Sequence, residues 1–264
     1  KRILSIVLLL TLLLPQAGAT QTAQDGLRGV WVSSVYNIDY PSRPGLDADA
    51  LKAEADTILD HVRDMGLNAV FLQVRPSADA LYSSAYFPWS RYISGTPGQP
   101  PDGSFDPLAY WVEEAHRRGL QLHAWINPYR ITKNGESEWD TLPADSPAKL
   151  HPEWTVQYEE NYYFNPGLPA VQHLVVDGAA EIVKNYEVDG IHLDDYFYPG
   201  QAFSDAEAFA RYGSSFEDIG DWRRDNVNRL IATLDETLHA IRPEISFGVS
   251  PAGIWDNRED NPKG

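Results

Sequence analysis

Eleven residues, 189–199, read D-G-I-H-L-D-D-Y-F-Y-P and constrain the fold of this chain more than any other segment. Ile191 and Leu193 alternate with Gly190, His192 and Asp194, so a strand here has one apolar face and one polar face. The apolar face needs helices over it, and His192 and Asp194 then turn inward. A (β/α) barrel is built this way, with its reactive groups at the C-terminal ends of the strands. Asp195, Tyr196, Phe197 and Tyr198 leave the strand as an acidic, aromatic loop, a composition suited to stacking on sugar rings beside a carboxylate.

Strand patterns at 27–35, 67–76, 120–129, 189–196 and 245–251 alternate with amphipathic helix patterns at 48–65, 107–118, 168–186 and 222–242. Gly66 and Gly119 stand where the first two helices should stop. Strand, helix, strand in strict order implies a parallel sheet. The segments that follow strands are long, notably 76–106 and 129–166, whereas those from helix to strand are short. Elaboration on one side of a parallel barrel marks its working face. A closed barrel of this kind takes eight strands. The expected fold is therefore α/β, a (β/α)8 TIM barrel of which this chain carries about the first five strand and helix units.

The N-terminus has the form of a secretory signal peptide at 1–19: Lys1 and Arg2, an apolar run over 3–14, and the small residues Ala17, Gly18 and Ala19. The apolar run is short for a membrane-spanning helix. A short linker at 20–26 then leads to the barrel domain at 27–264, exported to the periplasm or beyond the cell. With no Cys there is no lipidation site and no disulfide. The net charge of −17 repels nucleic acid and anionic membranes. Eight Trp and 14 Tyr supply aromatic platforms of the kind that hold carbohydrate, as well as core.

If Asp194 points inward, the same alternation turns Gln73 and Arg75, then His123, Trp125 and Asn127, and finally Ser250 to the same side. Polar residues on one face of four strands imply a single wet pocket, since scattered burial would leave unpaired groups at about 1–3 kcal/mol each. Each also has a purely structural reading. Arg75 would pair with Asp194 and favour its charged form. His123 and His192 would be core histidines, His192 the deeper of the two. Asn127 and Asn165 would cap loops through Asx turns. Asp195 would cap the following turn, and Trp89, Trp125 and Tyr129 would pack.

Seven ordered segments carry a resemblance: L-R-G-V-W-V-S-S-V-Y-N-I-D-Y-P-S from Leu27, L-Q-V-R-P-S-A-D-A-L-Y-S-S from Leu72, P-W-S-R-Y-I-S-G from Pro88, A-H-R-R-G-L-Q-L-H-A-W-I-N-P-Y-R from Ala115, F-N-P-G-L-P-A-V from Phe164, V-D-G-I-H-L-D-D-Y-F-Y-P from Val188 and F-G-V-S-P-A-G-I-W from Phe247. The chain resembles the glycosyl-hydrolase-like family 10 group, exported bacterial (β/α)8 barrel proteins whose best understood members resemble a cell-division-associated hydrolase of peptidoglycan glycan strands. The family domain continues beyond Gly264.

The resemblance implies glycosidic bond hydrolysis on a polysaccharide or peptidoglycan glycan, with no metal and no cofactor. Such chemistry uses two carboxyl groups, about 5–5.5 Å apart for retention and about 6.5–9.5 Å for inversion. Asp194 is the first candidate and Asp195 the second. Asp79, a group beyond residue 264 and, more weakly, Asp39 are the other possible partners. The expected substrate-binding set is Gln73, Arg75, Asp79, His123, Trp125, Asn127, Tyr129, Asn165, His192, Tyr196, Tyr198 and Ser250. Two other functions fit the composition. One is a carbohydrate-binding barrel without turnover; the other is a metal-dependent deacetylase, which the lack of any H-x-x-H or H-x-x-x-H pair disfavours.

Overall fold

The computed structural model describes residues 26–194 and 197–251. The expected signal peptide, the linker up to residue 25, Asp195 and Tyr196 lie outside the described residues. Five parallel strands form the main sheet: β1 (Gly29–Val32), β2 (Ala69–Arg75), β3 (Gln121–Ile126), β6 (Gly190–Leu193) and β7 (Ser246–Val249), hydrogen-bonded in that order. An antiparallel hairpin, β4 (Thr155–Tyr158) and β5 (Asn161–Phe164), stands apart in the loop after β3. The long helices are α1 (Ala48–Asp64), α3 (Pro107–Arg117), α6 (Pro169–Asn185) and α8 (Ile219–Ile241). The short helices α2 (Arg91–Ser94), α4 (Gly135–Asp140), α5 (Pro147–Leu150) and α7 (Ala206–Tyr212) lie in the loops that follow β2, β3 and β6. This is the expected α/β fold, a partial (β/α) barrel. The hairpin and the short helices were not foreseen.

Local sequence explains the helices. Asp47 caps α1 by accepting from Ala50 N at 2.8 Å, and Leu51, Ala55, Leu59 and Val62 give it one buried stripe. Asp106 caps α3 in the same way, accepting from Ala109 N at 3.0 Å, with Pro107 in the first turn. The stripes of the long helices meet the outward side chains of the sheet, among them Val70, Leu72, Leu122, Ala124, Ile126, Ile191 and Leu193, all buried. Each such aliphatic side chain contributes roughly 1.5–3 kcal/mol by leaving water. Between α1 and α3, the Arg118 guanidinium is bonded to Asp56 and Asp60 at 2.8 Å each and to Glu114 at 2.5 Å.

Two contacts set the position of β6. At its start, Asp189 Oδ2 accepts from Leu122 N at 2.7 Å and lies 2.8 Å from His116 Nε2, which ties the strand to β3 and α3. Gly190 sits directly under the His123 ring: a Cβ there would fall 2.1 Å from His123 Nδ1. Only glycine fits beneath that imidazole.

The inner face of the sheet is an aromatic layer. Trp31 stacks on Phe71 at 4.9 Å and meets Trp125 and His192 edge-on at 4.9 and 4.8 Å, while Phe71 touches both His123 and His192. β1 and β7 are the two edges of the sheet, and Trp31, at the β1 edge, is 41% exposed.

The alternation breaks once. Between Gln73 and Arg75 the register of β2 against β3 shifts, so that Gln73 pairs with Trp125 but Arg75 with the outward-facing Ile126. Arg75 therefore turns to the helix side. Its guanidinium lies 3.9 Å from the Phe87 ring centroid, and Gly178 of α6 gives it room, since a Cβ at Gly178 would fall 2.5 Å from Arg75 Nη1.

Candidate active site

Asp194 is the residue after β6, at the C-terminal end of the sheet, and is buried. Its carboxylate accepts from Asn127 Nδ2 at 3.0 Å (Oδ1) and 3.2 Å (Oδ2), and from Trp125 Nε1 at 3.1 Å (Oδ2). Asn127 is oriented in turn by its own carbonyl, which accepts from Arg130 N at 2.8 Å and Tyr129 N at 3.3 Å. The amide is thus fixed with its NH2 toward Asp194, by backbone on one side and carboxylate on the other. Trp125 lies on β3 and His192 on its neighbour β6, with Asn127 and Asp194 the first residues past the two strand ends, so the alternation read from the sequence brings these side chains to one face. Donors aimed at a carboxylate favour its charged form. A buried, oriented anion over an aromatic floor can serve as base, nucleophile or stabiliser of developing positive charge.

Loops from two other strands complete the rim. Gln73 Oε1 accepts from Ser33 Oγ, Ser34 N and Val35 N at 3.0–3.1 Å, so this residue positions the loop after β1. That loop carries Tyr36, 49% exposed, whose hydroxyl reaches Asn134 Oδ1 at 3.2 Å and Lys133 O at 3.3 Å. The loop after β3 carries Arg130, whose Nε and Nη2 donate to Pro76 O at 3.0 and 2.6 Å, and Lys133. The half-buried Lys133 ammonium is held below its ordinary pKa, first by burial and then by Arg130, against attraction from Glu138 and Asp194. Tyr36, Arg130 and Lys133 lie outside the strands, where no periodicity nominated them.

Several sequence-based assignments are corrected by the geometry. The ion pair between Arg75 and Asp194 does not form, because the register shift sends Arg75 to the helix layer. There burial lowers its pKa, opposed by Tyr82, Glu181 and Asp79. His123 pairs in register with Gly190 and His192 with Trp125, so His123, not His192, is the deeper histidine. His123 is a core residue 3.3 Å from Gln121 Oε1. His192 is half-buried below Asp194, with Nε2 2.8 Å from Ser250 Oγ, and burial first, then His123, lowers its pKa to about 4.

Tyr129 is fully buried and packs toward Phe197 instead of offering a platform. Tyr198 accepts from Asn226 Nδ2 at 3.2 Å and has the Arg223 guanidinium 5.4 Å from its ring centre, so it fastens its loop to α8. Asn165 caps its turn by accepting from Gly167 N at 3.0 Å and lines a groove of about 820 Å3 with Trp154, Leu168 and Tyr212.

Of the other carboxylates, Asp39 accepts from Ser33 N at 2.8 Å as a loop cap. Asp79 accepts from Ser77 N at 3.0 Å and lines a cavity of about 20 Å3 with Arg91, Tyr92 and Glu138; burial raises its pKa. Neither residue hydrogen-bonds with the Asp194 cluster. Among the described residues, no group of three or more His, Asp or Glu side chains is arranged to hold a metal ion.

The chain matches the family described as Glycosyl hydrolase-like 10 over residues 26–263. It is 47% identical over 243 residues to Glycosyl hydrolase YngK of Bacillus subtilis (strain 168), an alignment covering 90% of this chain and 47% of that protein. It is 37% identical over 272 residues to Glycosyl hydrolase DigH of Escherichia coli (strain K12), covering 95% of this chain and 62% of that one. The chain therefore spans about half the length of YngK and under two thirds of DigH. Among solved structures, the glycoside hydrolase domain of PgaB (BpsB) from Bordetella bronchiseptica superposes with a TM-score of 0.57 at 15% identity, covering 84% of this chain and 64% of that one. Alpha-L-fucosidase isoenzyme 2 from Paenibacillus thiaminolyticus gives 0.55 at 16% identity, covering 84% and 32%. At these identities the likeness is one of fold, that of the (β/α) barrel.

Proposed function

The chain belongs to the Glycosyl hydrolase-like 10 family, and on that premise we propose that it hydrolyses glycosidic bonds in an exported glycan, with bacterial cell-wall strands as the substrate, and that Asp194 is a catalytic carboxylate. One observation carries the assignment: Asp194 stands at the C-terminal end of β6 with both oxygens held by Asn127 and Trp125. That is the position and pre-organisation a barrel glycosidase gives to the group facing an oxocarbenium-like transition state. Trp125 and Asn127 are its positioning residues. Asp195, next in the chain, is the candidate partner, and the secretory N-terminus would deliver the protein to the compartment where such glycans lie.

The experiment is reducing-end formation from purified peptide-free glycan strands by the full-length protein and by Asp194→Asn, both checked for folding. Asp194→Asn keeps shape and removes charge, so turnover should fall by about a hundredfold or more, the scale of one aimed electrostatic group. Near-wild-type turnover in that variant would remove Asp194 from the chemistry. Retention of glycan by both proteins with no new reducing ends would instead make this a carbohydrate-binding barrel.

A further inference from the structure

Lys133 and Tyr36 stand out because the loops after β3 and β1 bring them together at the C-terminal face, where the Tyr36 hydroxyl donates to Lys133 O and Asn134 Oδ1. Lys133 is half-buried at the C-terminal face, within electrostatic reach of Asp194, and its ammonium makes no ion pair among the described residues. The Tyr36 ring centroid lies 5.8 Å from its Nζ. The backbone beneath it is held firmly: Glu138, itself buried, accepts from Lys133 N and Asn134 N, and Gly135 N donates to Asn161 Oδ1 at 3.1 Å. The lysine therefore projects from a rigid loop.

Tyr36 is held out by strain. It has φ 57° and Asn37 has φ 53°, two consecutive non-glycine residues in the left-handed region; asparagine tolerates that region, but for tyrosine it costs of order 1–3 kcal/mol and persists only where the surroundings enforce it. They do so here: Asn37 Nδ2 donates to Pro41 O at 2.9 Å and Tyr92 O at 2.8 Å, and Gln73 anchors the preceding residues. The result is an aromatic ring left half in solvent beside an ammonium that itself feels the Asp194 charge. On a chain of net charge −17, an unpaired half-buried cation is out of keeping with the surface. A hydroxyl would compensate its lost hydration weakly, whereas an anion would do so fully.

We propose that Tyr36 and Lys133 form a sugar subsite beside Asp194 that recognises a ring bearing a carboxylate, the ring stacking on Tyr36 and the carboxylate pairing with the Lys133 ammonium. The subsite deepens the hydrolase reading and rests on it for the role of Asp194, but its binding preference is independent of turnover. It makes the substrate an acidic glycan.

The test compares peptide-free cell-wall glycan strands with the same strands after reduction of their carboxyl groups to alcohols. Binding is followed by titration calorimetry with the full-length protein in an Asp194→Asn background, and turnover by reducing ends with Asp194 intact. The acidic glycan should bind about ten- to a hundredfold more tightly than the reduced one, the range of a charge-assisted hydrogen bond. Lys133→Gln should abolish that preference by weakening only the acidic glycan, raising KM more than it lowers kcat, and Lys133→Arg should keep it. Tyr36→Asn, which tolerates the left-handed backbone, should weaken both glycans alike.

Equal binding of the two glycans by the parent protein would overturn the proposal. Equal losses on both in Lys133→Gln would also overturn it, since the lysine would then be acting on Asp194 and not on substrate. Absence of turnover on either glycan would count against hydrolysis alone, and a retained preference in binding would still support the subsite.

Discussion

Replacing Asn127 by leucine separates the positioning of Asp194 from its charge. In the structure Asn127 Nδ2 donates to both Asp194 oxygens, at 3.0 and 3.2 Å, and Trp125 Nε1 remains as a second donor. A hydrogen bond to a charged group contributes about 1.5–3 kcal/mol. At about 1.4 kcal/mol per factor of ten, its loss should lower turnover roughly ten- to a hundredfold if the bond holds Asp194 in its reactive position. The same side chain accepts from Arg130 N, so leucine also orphans a buried N–H, for a further loss of about 1–3 kcal/mol in stability. Asn127→Asp keeps the acceptor for Arg130 N but sets a second carboxylate against Asp194, a buried like-charge pair that costs both activity and stability. The assay is reducing-end formation across a cycle of Asn127→Leu, Asp194→Asn and the double variant, with melting curves for each. If Asn127 acts through Asp194, the double variant is no slower than Asp194→Asn alone. Multiplicative losses, or a leucine variant within threefold of wild type, would refute the positioning role.

Three further outcomes are expected. Gly190→Ala places a methyl where the His123 ring already lies, and overpacking of this kind costs about 1–3 kcal/mol; a calorimetric melt should show the loss, and adding His123→Ala should recover part of it. Arg75→Met should leave glycan turnover close to wild type, because the guanidinium faces α6 and not Asp194; a large selective loss of turnover would return Arg75 to the site. His192 has a folded pKa of about 4, below its ordinary value of 6.5, so between these values the unfolded chain binds the proton and the folded chain does not. Stability should therefore fall as pH drops from 6.5 toward 4, and denaturation midpoints of His192→Asn should fall less steeply over that window.

Much of the framework was legible because the period of a strand is short and its faces are chemically distinct. Ile191 and Leu193 against His192 and Asp194 oriented β6 correctly, and the same rule brought Trp125 and Asn127 to the same face. The rule failed at Arg75, where one shift in register between neighbouring strands reverses a side chain without leaving any mark in the composition. Relative depth also depends on register: pairing His123 with Gly190 puts His192 one step higher, and a single strand cannot reveal its partner. Beyond the strand ends the alternation has no force. Tyr129 and Tyr198 therefore went into packing, while Tyr36 and Lys133 went unnoticed. The β4–β5 hairpin turns through Glu159 at φ 52°, a residue type that announces no turn.

The anchoring of Asp189 to Leu122 N and His116 reaches beyond the bottom of the sheet. A strand is stiff along its length, so the height of its last residue is decided where its first is pinned. Sliding β6 by two residues would preserve every inward and outward face yet carry Asp194 nearly 7 Å along the barrel, out of reach of both its donors. Asp189 acts as the datum from which the position of Asp194 is measured. A change as mild as Asp189→Asn, far from any sugar, should broaden the placement of the carboxylate at the other end before it unfolds anything.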